Sequence, residues 1–168
     1  DLIEKAGAME SNINESVQVV RRIITRLRPG ILDDLGLIPA IEWLTGEFRE
    51  SYGMDCKLNS SLNRIELNRD QSTAVFRIFQ EVLFNAARHA RATRLDITLK
   101  KTNGCFKMEV QDNGCGIKKA DIHRKGSFGL MGIRERAKLY GWTFDISGAA
   151  DEGTKASLTI PFREAKNE

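Results

Sequence analysis

Asp112-Asn113-Gly114-Cys115-Gly116-Ile117 closes the run Cys105-Phe106-Lys107-Met108-Glu109-Val110, whose alternation of apolar and polar residues predicts a strand. Two readings compete for what comes next. Asn-Gly is the strongest two-residue signal for a β-hairpin, and a hairpin requires a second alternating strand. The residues that follow are Lys118-Lys119-Ala120-Asp121-Ile122-His123-Arg124-Lys125-Gly126, which are basic and not strand-like. The other reading is a ligand loop. A carboxylate leaving a strand into a glycine turn presents a fixed acceptor to a donor such as the exocyclic amine of adenine. The glycines let backbone approach that ligand with no Cβ in the way. Taken alone, the stretch leaves both readings open.

Working outward, Leu95 to Lys100 and Cys105 to Gln111 alternate as a hairpin with Asn103-Gly104 at its turn. Beyond the loop of residues 113–127, a helix is expected from Phe128 to Tyr140, closed by Gly141 in the C′ position. Trp142 to Ser147 and Thr154 to Ile160 form a last hairpin, ended by Pro161. Upstream, Asp70 is expected to cap a helix from Gln71 to about Ala90. Glu81, Asn85, Arg88 and His89 fall at i, i+4, i+7 and i+8 of that helix and so share one face. Before it, Asn63 to Leu67 is an edge strand or a linker, and Met54 to Asn59 a weak strand. A helix from about Pro39 through Ile41, Trp43, Leu44 and Phe48 ends at Gly53, and Ile31 to Ile38 reads as a short apolar turn. Helices and hairpins alternating in this way predict an α/β fold, a two-layer sandwich with a mixed sheet covered by helices on one face.

From Leu2 to Leu27 the apolar residues Leu2, Ala6, Met9, Ile13, Val20, Ile23 and Leu27 follow a heptad, with Ser16 as the polar member of the seam. A long amphipathic helix here, ended by Pro29 and Gly30, is expected to join a helical bundle with a second copy of the chain. The alternative is that it folds back on its own domain. The chain begins without Met inside this helix and reads as a fragment of something longer. Its 168 residues suit one domain plus such an appendage. A net charge of +3 permits anionic ligands without requiring nucleic acid. Cys56, Cys105 and Cys115 form no metal-ligand spacing and read as free thiols in a reducing compartment. No apolar run approaches the roughly 20 residues of a membrane span, and no signal peptide is visible.

The helix face bearing Glu81 and Asn85 carries chemistry as well as pattern. Such residues are ordinarily solvated, but Asn is a mediocre helix former and sits here mid-helix. An amide oxygen can ligate Mg²⁺, an ion that takes few protein ligands and fills its octahedron with phosphates and waters. Glu81 can orient a nucleophile or accept its proton, and Arg88 can meet phosphate. Gly126-Ser127-Phe128-Gly129-Leu130-Met131-Gly132 precedes and opens a helix, where backbone amides favour anions. Neither a lysine-bearing P-loop nor a dinucleotide fingerprint is present. Lys118, Lys119, Arg124 and Lys125 fit a cationic lid over a triphosphate, and equally a plain exposed loop.

Glu81-Val82-Leu83-Phe84-Asn85-Ala86-Ala87-Arg88-His89-Ala90 resembles the asparagine box of the histidine-kinase ATP-binding domain. Asp112-Asn113-Gly114-Cys115-Gly116-Ile117 resembles its first glycine box, Gly126 to Arg136 the second, and Gly153-Thr154 the last. The four occur in that family's order and cover nearly the whole chain. Arg26 to Leu37 is similar to the hinge of the nitrate-sensor-like kinases with short ATP lids, within the gyrase, chaperone, kinase and MutL superfamily.

The resemblance implies ATP and Mg²⁺ as cofactors and roles by position. Asp112 would accept from the adenine amine, backed by Thr154. Asn85 would ligate Mg²⁺, Glu81 would assist phosphoryl transfer, and Arg88 would sit near phosphate. His89 would line the pocket, or is simply a satisfied helix histidine. Gly114, Gly116, Gly126, Gly129 and Gly132 would shape the site, with Ile117 and Leu130 beside them. Residues 1–30 would be the second helix of the dimerisation bundle and residues 31–168 the ATP-binding domain. The implied partners are a second copy of the parent chain and a response regulator, with no nucleic acid and no membrane contact by this fragment. The implied location is the cytoplasm, whether or not the parent is anchored in the inner membrane. The family's phosphoacceptor is a histidine followed by an acidic residue, whereas His89 precedes Ala90 and His123 precedes Arg124. The acceptor is therefore expected outside this chain. Two other readings stand beside this one, a different ATPase or serine kinase of the superfamily, and a non-catalytic dimerisation or nucleic-acid-binding module.

Overall fold

The computed structural model describes Met9, residues 30–117 and residues 128–162, with Phe128 described by its backbone alone. The heptad helix, apart from the helical Met9, and the basic loop with Gly126 therefore lie outside the described residues. Helices α1 (Gly30–Asp34) and α2 (Leu37–Tyr52) precede strand β1 (Asp55–Ser60). Helix α3 (Arg69–Asn85) runs into a π-helical turn (Ala86–Ala90), followed by β2 (Arg94–Thr102) and β3 (Cys105–Asp112). Helix α4 (Phe128–Leu139), β4 (Thr143–Gly148) and β5 (Thr154–Pro161) complete the described elements.

The strands form one mixed sheet in the order β1-β2-β3-β5-β4. β1 lies parallel to β2, and the other pairs are antiparallel. Register puts Ile97 opposite Val110, and Val110 opposite Ala156, so one face gathers the apolar residues of three strands. Leu95, Ile97, Leu99, Phe106, Met108, Val110, Leu158 and Ile160 are all buried there. They pack in one core with Ile41, Leu44 and Phe48 of α2, Phe76, Phe79 and Leu83 of α3, and Ile133 and Ala137 of α4. Each such large side chain stabilises the fold by about 1.5–3 kcal/mol. The opposite face is polar. There Glu109 of β3 takes ion pairs from Lys100 of β2 at 3.0 Å, Lys107 at 3.1 Å and Lys155 of β5 at 2.7 Å. This arrangement holds the Glu109 carboxyl down at about 2, chiefly through Lys155.

The hairpin at Asn103-Gly104 forms as expected, with φ of 51° and 69°, the left-handed pair of a type I′ turn. Several expectations need correction. The cap of α3 is Asn68, not Asp70. Its Oδ1 accepts from Gln71 N at 2.8 Å while its own N donates to Gln71 Oε1 at 3.0 Å, a reciprocal capping box. Asp70 lies in the first turn, where a carboxylate suits the helix dipole. The apolar turn of residues 31–38 contains the short helix α1, opened by Gly30, and α2 begins two residues before Pro39. Of the two readings of residues 63–67, the structure shows the linker. The α-helix stops at Asn85, and its continuation to Ala90 is a π turn, a form common at functional sites.

Candidate functional site

A cavity of about 930 Å³ opens between the C-terminal end of α3, the loop after β3, the start of α4 and the turn between β4 and β5. Its size falls in the range of sites that hold a small ligand or cofactor. Glu81, Asn85, Arg88, His89, Asp112, Gly116, Ile117, Gly129, Leu130 and Thr154 all line it, so the structure gathers ten of the anticipated residues around one space. Gly114 and Gly132 do not line it, and Gly126 lies outside the described residues.

Asp112 ends β3 opposite Leu95 and is buried, 7% exposed. Its Oδ1 accepts from Gly114 N at 2.8 Å and from Thr154 N at 3.1 Å. Both of these bonds fall on one oxygen, and among the described residues no hydrogen bond falls on Oδ2. The neighbouring glycines are required by space. A Cβ at Gly114 would overlap the Ala90 carbonyl, and one at Gly153 would overlap the Asp112 carbonyl. Gly116 needs its glycine twice over, since its φ is +75° and a Cβ would strike Ala149 O.

At the other end of the cavity, a Cβ on Gly129 would overlap Glu81 Oε1 and come within 3.6 Å of Asn85 Oδ1. The first turn of α4 therefore sits directly over these two side chains. Among the described residues, Asn85 Nδ2 is buried without a hydrogen-bond partner, a donor whose partner is still to be supplied. Arg88 lies over the Phe84 ring, 5.1 Å from its centroid, and Phe84 in turn packs edge-on against Phe48 at 5.2 Å. A cation–π contact of this kind restrains the guanidinium of this cavity-lining residue. The site thus combines a buried acceptor at one end with the Glu81 and Asn85 side chains at the other, and Arg88 and His89 line the space as well.

Residues not anticipated as site residues also line the cavity. Val82, Ala86, Val110, Ile146 and Ala156 give it apolar walls, and Cys115, Ala150 and Asp151 border it. Ile146 and Ala156 are partners across β4 and β5, and their place in alternating strands was the available signal. Ala150 and Asp151 belong to a turn whose sequence offers none. Asp151 takes φ of 60° there, and its N–H donates to Cys115 O at 3.1 Å. Among the described residues, no group of three or more His, Cys, Asp or Glu is placed to hold a metal ion by itself.

Residues 70–164, more than half of the chain, match the family of histidine kinase-, DNA gyrase B- and HSP90-like ATPases. The chain belongs to this ATPase family. Across 164 residues it is 30% identical to the oxygen sensor histidine kinase NreB of Staphylococcus carnosus (strain TM300). That match takes in 98% of this chain and 47% of the relative, so the chain spans just under half of that protein's length. Among solved structures, it resembles the Acinetobacter baumannii histidine kinase AdeS with a TM-score of 0.64 at 14% identity, over 93% of this chain and 84% of that one. It also resembles the Erythrobacter litoralis EL346 blue-light activated histidine kinase, with a TM-score of 0.66 at 18% identity over 79% and 43% of the two chains. These structural likenesses establish the fold. The family match makes this chain a domain of the histidine kinase-, DNA gyrase B- and HSP90-like ATPase kind.

Proposed function

We propose that the cavity takes ATP with its adenine at Asp112 and its phosphates toward Asn85 and Arg88, with His89 lining the pocket. The γ-phosphoryl group would then pass to a histidine outside this chain, and from there to an aspartate of a response regulator. The observation that carries this reading is the Asp112 carboxylate. Two backbone N–H groups hold its Oδ1. That fixes Oδ2 as an acceptor of the kind an exocyclic amine needs. In this reading Thr154 steadies the carboxylate, Ile117 and Leu130 flank the base, and Gly116 and Gly129 let the backbone close on the nucleotide.

Phosphoryl transfer demands positioning and charge neutralisation more than covalent chemistry. Arg88 supplies a fixed positive charge. Asn85 Nδ2 supplies a buried donor whose missing acceptor fits a phosphate or water oxygen. Glu81 lies one helical turn before Asn85 and orients the incoming nucleophile or takes its proton. Asn85 Oδ1 suits Mg²⁺, because that ion is satisfied by one protein oxygen with phosphates and waters. Bound there, Mg²⁺ supplies neutralisation of phosphate charge.

In the parent protein, residues 1–30 would form the second bundle helix of a homodimer and residues 31–168 the ATP-binding domain. The hinge resemblance supports placing the parent among the nitrate-sensor-like kinases, working in the cytoplasm. No helix among the described residues is long and apolar enough to cross a membrane.

The test is a titration with ATP, with and without Mg²⁺, of the native chain and of Asp112→Asn. A hydrogen bond to a charged group is worth about 1.5–3 kcal/mol, so the variant should lose roughly ten- to a hundredfold in affinity. Native binding that depends on Mg²⁺ is expected beside it. Equal affinity in the two chains would remove Asp112 from the base site, and no binding by either would end the nucleotide reading for this chain.

A further inference from the structure

Asn113 is exposed and does not line the cavity, yet its polar groups are engaged. Its Oδ1 accepts from Thr93 N at 2.9 Å and from Arg94 N at 2.8 Å, and its Nδ2 donates to Thr93 Oγ1 at 2.9 Å. Its backbone N donates to Arg94 O at 3.3 Å. Thr93 lies in the short connection between the π turn and β2, and Arg94 is the first residue of β2. Two residues further along, Cys115 N donates to Ala90 O, the end of that π turn, at 2.8 Å. The loop after Asp112 is therefore stitched at two points to the segment that continues the helix of Glu81 and Asn85. Between the two stitches lies Gly114, whose N–H is one of the two donors to Asp112 Oδ1.

We propose that Asn113 is a positioning residue, which aims the Asp112 carboxylate and sets its spacing from the phosphate end of the cavity. The proposal rests on the ATP reading above. Its physical content is geometric. Without the Asn113 side chain, two backbone N–H groups and the Thr93 hydroxyl lose their partner, and the peptide carrying the Gly114 donor loses its anchor. The carboxylate then keeps its charge but loses its direction. Recognition of the base amine should suffer before overall binding or folding does.

The experiment measures dissociation constants for ATP and for inosine triphosphate, which carries a carbonyl in place of the amine. Native chain, Asn113→Ala and Asn113→Asp are compared, with melting temperatures recorded for each. The native chain should favour ATP by roughly tenfold or more, the worth of a hydrogen bond to a charged acceptor. Asn113→Ala should bring that preference within about threefold. Asn113→Asp keeps an acceptor for both backbone N–H groups and should retain most of the preference. A purely structural role predicts something else, lower melting temperatures with the native preference intact in Asn113→Ala, and that result overturns the proposal. If Asn113→Ala does not fold, Asn113→Ser carries the same comparison, and a native-like preference in it counts against the proposal equally. A native chain that binds both nucleotides alike overturns the proposal together with the base-reading role of Asp112. The native titration therefore tells the two failures apart.

Discussion

Two Asn-Gly pairs bound strand β3, and they do opposite things. At Asn103-Gly104 both residues adopt positive φ, the chain turns straight back, and a Cβ added to the glycine meets nothing within 4 Å. At Asn113-Gly114 neither residue has positive φ, the asparagine side chain is bound to Thr93 and Arg94, and a Cβ on the glycine would overlap the Ala90 carbonyl. The first glycine is needed for its backbone conformation, the second for the space it leaves. A dipeptide therefore does not determine a turn. What decides is whether a neighbouring strand or a neighbouring helix end competes for its polar groups.

The largest effect should come from exchanging these two glycines one at a time. Gly114→Ala has to displace the Ala90 carbonyl, which breaks the stitch from Cys115 N and moves Asp112. Overpacking of this kind costs about 1–3 kcal/mol of stability. Misplacing a functional group by about 1 Å can cost on the order of a hundredfold in function. ATP affinity should fall accordingly. Gly104→Ala puts a Cβ into the left-handed region at a cost of about 1–2 kcal/mol, with ATP affinity unchanged. Calorimetry for binding and thermal melts for stability separate the two. Equal losses of affinity would mean that the distinction between the two ends of β3 is wrong.

A thiol also lies at each of these two turns, Cys105 at the start of β3 and Cys115 in the loop after it, which sharpens the contrast by a smaller effect. Cys115 is exposed and lines the cavity, Cys105 is half-buried beside the hairpin, and Cys56 is buried in the core. The thiolate is the reactive form, and burial pushes the Cys56 thiol up. Iodoacetamide should therefore leave Cys56 unmodified until the chain unfolds. With ATP at ten times its dissociation constant, simple competition slows Cys115 labelling about tenfold, while Cys105 labelling keeps its rate. Peptide mass spectrometry gives both rates in one sample. Protection of both thiols, or of neither, would argue against a nucleotide seated beside Cys115.

Much of this arrangement could be read from the sequence, and the exceptions share a cause. Period-two alternation identified β2, β3, β4 and β5, and the 3.6-residue spacing placed Glu81 and Asn85 on one face. Those signals are local and repeat many times. The cap of α3 was misplaced by two residues because Asp70 and Asn68 are both good capping types. Only the reciprocal bonds of Asn68 and Gln71 decide between them. The π turn was not legible, since Arg88 and His89 fit an α-helix equally well on paper. The contributions of Asn113, Ala150 and Asp151 were hidden for a different reason. They depend on segments far apart in the chain, the connection before β2 and the turn before β5, coming to lie beside the Asp112 loop.

Midway between the two turns, Glu109 faces away from the cavity and offers the smallest test. Its three lysine partners come from three adjacent strands, and its folded pKa lies at about 2, below the ordinary 4.5 of a glutamate. A depressed carboxylate adds stability that is fully present above the unfolded value and is lost as pH falls through the folded one. The relevant window therefore runs from about pH 5 down to about pH 2. All three lysines are partly exposed, so screening reduces the contribution at neutral pH to about 1 kcal/mol or less. Glu109→Gln should be less stable than the native chain by that amount at pH 7, and the gap should close as the solution is acidified. ATP affinity should not change, because Glu109 points to the opposite side of the sheet from Val110 and the cavity. A gap that widens in acid would contradict the sign of the shift. A loss of ATP affinity would mean that the strand couples its outer face to the Asp112 loop, and the two ends of β3 would then not be independent.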